Sequence, residues 1–231
     1  MQKNIADYKL EYKIYRKKAI IRRRIFITSI IMVSILLIGA AAFLLSDIAR
    51  EKTAVSKARD LEMPSWIDSQ IIAKESGGRS GRELSAIKNI VIHYVGNPGT
   101  TAQNNRDYFD KESTQVSSHF IVGLDGEVIQ CVPIYERSAA SNNRNKDTIS
   151  IETCHPDESG EFSKETYNSL VKLTAYLCYE FDLSENDVIR HYDVTGKICP
   201  KYYVENADEW KIFKKDVGKA IDDYRKTEKD N

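Results

Sequence analysis

KNIVIHYVGNPGTTAQNNRDYF, residues 88–109, changes character twice within a short span. Lys88–Tyr94 is an apolar run of strand length that places His93 near its end. Val95–Thr101 (VGNPGTT) is a loop by composition, and Thr100 or Thr101 can cap a helix running through Phe109. The switching continues downstream. Ser118–Val122, Asp125-Gly126 and Glu127–Val132 read as a hairpin around an Asp-Gly turn. Thr148–Cys154 (TISIETC) alternates like a strand, and Val188–His191 is another short one. Ser163 caps a helix whose apolar residues (Tyr167, Leu170, Val171, Thr174, Leu177, Cys178, Phe181) share one face. Trp210, Phe213, Val217, Ile221 and Tyr224 mark a final amphipathic helix. Strands and helices alternate around an antiparallel hairpin, so the expected fold class is α/β, with a single mixed central sheet flanked by helices.

Upstream the chain is of another kind. Ile25–Leu45 is a run of 21 uncharged residues, a helix of roughly 31 Å, which matches a bilayer core. A cleaved signal peptide has a shorter apolar region, and the 24 residues before this run exceed a usual leader segment. Residues 1–24 hold nine Lys and Arg against Asp7 and Glu11, and Arg22-Arg23-Arg24 abut the apolar run. Because basic residues resist translocation, the expected topology is single-pass in the cell membrane, N-terminus cytoplasmic, with the following domain outside. The organisation expected is a basic cytoplasmic segment 1–24, a transmembrane anchor 25–46, a charged spacer 47–63 and a folded domain 64–231, entered at Pro64 and Trp66.

The 231 residues are neutral in total, so the +7 of the first 24 leaves −7 for the rest. An acidic domain argues against nucleic acid as a partner, because phosphate binding needs a basic face. At 42% hydrophobic and 29% charged, the chain can bury a core and expects water around it. Cys131, Cys154, Cys178 and Cys199 are too few for a disulfide scaffold. Cys131 and Cys154 both end strand-like runs, which leaves a pairing between them open; otherwise these two and Cys178 read as small core residues.

Zinc takes imidazole nitrogen and thiolate sulfur, and a catalytic zinc site keeps one position open. His93 and His191 each end a strand-like run. Cys199 follows His191 by eight residues in HYDVTGKICP, where turn-prone Asp193, Thr195 and Gly196 let the segment fold back. Spacing alone makes this a weak signal.

Four motifs in order strengthen it: IVIHYVGNPGTTAQNNRDYF, SHF before the Asp-Gly turn, DTISIE and HYDVTGKICP. Together they resemble the zinc-dependent N-acetylmuramoyl-L-alanine amidases related to phage T7 lysozyme and the peptidoglycan recognition proteins, over roughly residues 64–224. The resemblance implies the metal ligands His93, His191 and Cys199, with Zn²⁺ as cofactor. It implies a catalytic carboxylate at Glu152 and a catalytic lysine at Lys197. One branch uses a tyrosine just before the SHF-type histidine; that position is Ser118 here, so Glu152 is the residue implied. The bond implied joins the lactyl group of N-acetylmuramic acid to L-alanine. The implied partners are peptidoglycan, as glycan strand plus stem peptide, and the membrane through residues 25–46; a monomer is expected.

Tyr94, Asn97 and His119 are further candidates for touching substrate. Equally, Asn97-Pro98-Gly99 can be only a turn, and His119 can hold a structural hydrogen bond. His155, in the polar loop CHPDESG, is expected in solvent. A wall-binding receptor of the same fold would lack the cysteine ligand, whereas Cys199 is present. A thiol hydrolase would use Cys199 with one histidine and would survive chelation.

Overall fold

The computed structural model describes residues 5–227; residues 1–4, with Lys3 of the basic segment, and 228–231 lie outside the described residues. Two compact units divide between Arg50 and Glu51. A helix, α1 (Ile5–Asp60), begins in the first unit and ends in the second. Among the described residues it is the one helix long and apolar enough to cross a membrane, with a mean hydropathy of 2.6 over its most apolar window and no residue of that window buried.

The second unit is built on a six-stranded mixed sheet. Its strands are β1 (Ile67–Ser69), β2 (Asn89–Ile92), β3 (Phe120–Val122), β4 (Val128–Gln130), β5 (Thr148–Thr153) and β6 (Val188–Arg190), ordered β1-β4-β3-β5-β2-β6. Only the β3–β4 hairpin is antiparallel, and Gly126 takes the positive φ its Asp-Gly turn needs. The other pairs, β1–β4, β3–β5, β5–β2 and β2–β6, are parallel. The short strand β1 has no counterpart in the sequence reading.

Helices cover the sheet on both sides. The strand residues Ile90, Ile92, Phe120, Val122, Ile149 and Ile151 point to one face and are fully buried. They pack in one cluster with α3 (Lys164–Glu180) and α6 (Ala207–Thr227). Ser163 caps α3 as expected, accepting from the Thr166 N–H at 3.1 Å. Phe213 stacks on Tyr203 and Trp210, and Tyr167 donates to Asp216 of α6 at 2.8 Å. On the opposite face, Ile121, Ile129 and Cys131 pack with Ala102 and Phe109 of α2 (Ala102–Phe109). Thr101 caps α2 in a reciprocal box with Asn104. All four cysteines are free and buried.

Residues 51–60 also belong to this unit. Val55 and Ala58 are buried in its core. Glu51 lies 2.6 Å from Lys88, Lys57 lies 2.8 Å from Glu180, and the Arg59 guanidinium covers the Tyr135 ring at 4.7 Å. These residues of the charged stretch 47–63 pack on the unit because Val55 and Ala58 share a face and the charges find partners far along the chain.

Candidate active site

The sheet register assembles the site. Ile151, Ile92 and Arg190 are level across β5, β2 and β6. The next residue in each line is Glu152, His93 and His191. Alternation turns these three away from α3 and α6, onto the face that Ile90, Ile92, Ile149 and Ile151 avoid. They form one row at the carboxyl ends of three neighbouring parallel strands, the usual place for a site in such sheets.

Cys199 joins the row through the segment after β6. His191–Thr195 makes a short helix, α4, and Gly196 ends it in the left-handed region at φ 77°. The Tyr192 N–H then donates to the Cys199 carbonyl at 2.9 Å, closing the loop, and a cis peptide bond links Cys199 to Pro200. The turn-prone residues thus fold Cys199 back beside His191. A short helix, α5 (Lys201–Glu205), follows.

One donor atom each from His93, His191 and Cys199 lie within 4.8 Å of one another, and all three residues are buried. His93 Nδ1 is 3.9 Å from Cys199 Sγ and 3.9 Å from Glu152 Oε1. The two imidazole rings are tilted, 4.6 Å apart. Their outer nitrogens are both occupied by one stretch of chain. His93 Nε2 is 3.2 Å from Ser141 Oγ, and His191 Nε2 is 3.1 Å from Asn142 Oδ1. That leaves His191 Nδ1 buried with no hydrogen-bond partner. An orphaned imidazole nitrogen beside a second imidazole and a thiol is a donor set suited to a metal ion.

Electrostatics agree. Burial, with His191 and Lys197 nearby, holds His93 well below the ordinary imidazole range. His191 is lowered by burial and by Lys197. Both rings therefore stay neutral and keep a lone pair. Burial and the nearby Glu152 push the Cys199 thiol up to about 12, against a backbone hydrogen bond from Tyr94 and the charge of Lys197. Burial pushes Glu152 up to about 8, with Lys197 opposing. Glu152 Oε2 is buried without a partner. A cation would remove the reason for both rises by compensating the buried negative charge.

A cleft of about 1220 Å³ opens over the row. Lys197 is exposed and lines it, as do Tyr94 and Asn97. The Asn97 carbonyl also accepts from the Thr100 hydroxyl at 2.8 Å, so the turn is real as well. Asn104 and Tyr108 of α2 line it too. His119 is elsewhere: fully buried, with its Nδ1 accepting from the Ser150 N–H at 3.0 Å and its Nε2 at 2.8 Å from the Glu136 carbonyl. His155 is 2% exposed rather than solvated, because its Nδ1 bonds the Asp157 carbonyl at 2.7 Å and its ring lies against Tyr94. Ser141 and Asn142 escaped the sequence reading. They meet the histidines across almost fifty residues of chain, and no local pattern announces that.

A family model described as N-acetylmuramoyl-L-alanine amidase matches residues 83–202, just over half of the chain. Among curated proteins, N-acetylmuramoyl-L-alanine amidase CwlL of Bacillus licheniformis is 33% identical over 160 residues, which is 62% of this chain and 44% of that protein. N-acetylmuramoyl-L-alanine amidase BlyA of Bacillus subtilis (strain 168) is 32% identical over 160 residues, 60% of this chain and 43% of that protein. The chain spans less than half the length of these relatives. Among solved structures, the catalytic domain of XlyA superposes with a TM-score of 0.58 at 26% identity, over 66% of this chain and 99% of that one. PlyL shares the fold, with a TM-score of 0.59 at 23% identity, over 65% and 96%.

Proposed function

The chain belongs to the N-acetylmuramoyl-L-alanine amidase family, and on that premise we propose that it hydrolyses the amide between the lactyl group of N-acetylmuramic acid and L-alanine in peptidoglycan. The observation carrying this reading is the buried trio His93, His191 and Cys199 with Glu152 in the same row, at the floor of an open cleft.

Zinc fits the two-nitrogen, one-sulfur donor set and, when bound by His93, His191 and Cys199, supplies Lewis acidity toward a water molecule and the scissile carbonyl. Glu152 accepts a proton from the attacking water and delivers it to the leaving amine as the C–N bond breaks. The products are the lactyl carboxylic acid and a free L-alanine amino group. Lys197, at the cleft wall, stabilises the charge developing on the carbonyl oxygen. Tyr94 and Asn97, exposed to the same cleft, contact the glycan or the stem peptide.

Residues 25–46 cross the cell membrane once, with the basic segment inside and the domain outside, where wall substrate lies. Arg22-Arg23-Arg24 support that direction. The test is digestion of purified cell walls by the full chain in detergent micelles. New L-alanine amino termini should appear, vanish on chelation and return with zinc. Walls left uncut at saturating zinc would refute the proposal, and cutting that survives chelation would point to a thiol enzyme.

A further inference from the structure

We propose that Ser141 and Asn142 are positioning residues that hold the outer nitrogens of the two site histidines, with Asn142 fixing the proton of His191 there, so that both inner nitrogens are turned to the metal position. The inference rests on the metal-site reading above and adds to it the part of the chain that aims the ligands.

The geometry sets the tautomer of His191. An amide oxygen only accepts hydrogen bonds, so His191 Nε2, at 3.1 Å from Asn142 Oδ1, must carry the hydrogen. His191 Nδ1 is then the unprotonated nitrogen, and it is the buried atom left without a partner. His93 is oriented in a similar way, with Nε2 against Ser141 Oγ at 3.2 Å and Nδ1 toward Cys199 Sγ at 3.9 Å, although a hydroxyl can donate or accept and so orients this ring without choosing its tautomer. Two ligands from different strands thus take their orientation from consecutive residues of one turn.

The turn is itself held firmly. Asn145 Oδ1 accepts from the N–H groups of Ser141 and Ala140 at 2.6 and 3.1 Å. Arg144 donates to Asn89 Oδ1 at 2.6 Å, at the start of the strand that leads to His93. Asn142 lies in the left-handed region at φ 53°, a conformation that disfavours most side chains and that asparagine tolerates. A backbone held in that region brings the amide onto His191. A hydrogen-bonded partner behind a metal-binding imidazole typically changes metal affinity about 10–100-fold.

The backbone angle offers a clean test, because glycine accepts φ 53° better than asparagine does. In the full chain in detergent, Asn142→Gly should keep the thermal midpoint of the metal-free protein at or above wild type. It should weaken zinc binding about 10–100-fold, read by competition with a chromophoric chelator. Asn142→Asp, which keeps an acceptor at the same place, should restore binding. Nitrogen NMR of histidine-labelled, metal-free wild type should show His191 with its hydrogen on Nε2, and a mixture of tautomers in Asn142→Gly. Affinity within twofold of wild type in Asn142→Gly would overturn the inference, as would a wild-type His191 carrying its hydrogen on Nδ1. A rise in KM at unchanged zinc affinity would make Asn142 a substrate contact instead. Wild type that binds no zinc would sink the metal-site reading itself, so the two failures are distinguishable.

Discussion

Acidification singles out His119, because its ring is trapped between a donor and an acceptor. The Ser150 N–H points at Nδ1 from 3.0 Å, and the Glu136 carbonyl takes the hydrogen of Nε2 at 2.8 Å. A second proton on Nδ1 would enter a fully buried site beside the Ser150 N–H, with the Ser150 hydroxyl at 3.1 Å as its acceptor. Burial accordingly lowers the His119 pKa from its ordinary 6.5 to about 4, with the Glu136 carbonyl and carboxylate opposing. The unfolded chain therefore binds a proton between those two values that the folded chain refuses, and stability falls as pH falls through 6.5 toward 4. At about 1.4 kcal/mol per unit, the loss relative to pH 7 is about 2 kcal/mol by pH 5 and about 3 kcal/mol by pH 4. Other groups titrate in the same range, so the measurement is a difference. Urea unfolding of the chelator-treated full chain would be followed from pH 7 to 4 for wild type and for His119→Gln. Glutamine can accept from Ser150 and donate to Glu136 without gaining charge. Wild type should lose about 3 kcal/mol more than the variant over this range. Parallel pH profiles would refute the reasoning.

Glu152→Gln should retain zinc, measured by metal analysis, while release of L-alanine termini falls by about 10²–10⁴-fold. Phe213→Ala empties a fully buried position between Tyr203 and Trp210 and should cost about 3–5 kcal/mol in urea unfolding. Arg79 and Glu136 form a partly buried two-pronged pair at 2.9 and 2.8 Å, and Arg79→Ala would leave the buried Glu136 carboxylate without its partner. A loss of about 3–5 kcal/mol is expected by the same assay, and a loss below 1 kcal/mol would mean water reaches the site.

The sequence was most informative where local rules govern. The Ser163 cap, a threonine cap at 100 or 101, the Asp-Gly hairpin and the alternation of TISIE follow from side-chain chemistry within a few residues, and each appears in the structure, the threonine being Thr101. Strand β1 was not legible, because Ile67-Asp68-Ser69 holds a single apolar residue and so no apolar run or alternation. Nor was the packing of residues 51–60, whose partners Lys88, Glu180 and Glu83 lie far along the chain. At the site, the alternation that buries Ile149 and Ile151 could place Glu152 on the other face. What placed Glu152 beside His93 is strand order, which no single strand encodes. His155 looked solvated because its neighbours are polar, yet one of them, through its backbone carbonyl, is what holds it inside.

The row of Glu152, His93 and His191 makes metal capture a report on folding. These residues arrive on three separate strands and share a face only when β5, β2 and β6 pair in one register. A slip of one residue in any of them would turn its functional side chain toward α3 and α6 and bring a neighbour, such as Ile151, Ile92 or Arg190, into its place. Such a chain could still be compact and helical, but it would hold at most part of the ligand set. Zinc retention would then separate correctly paired molecules from misregistered ones before any substrate is offered.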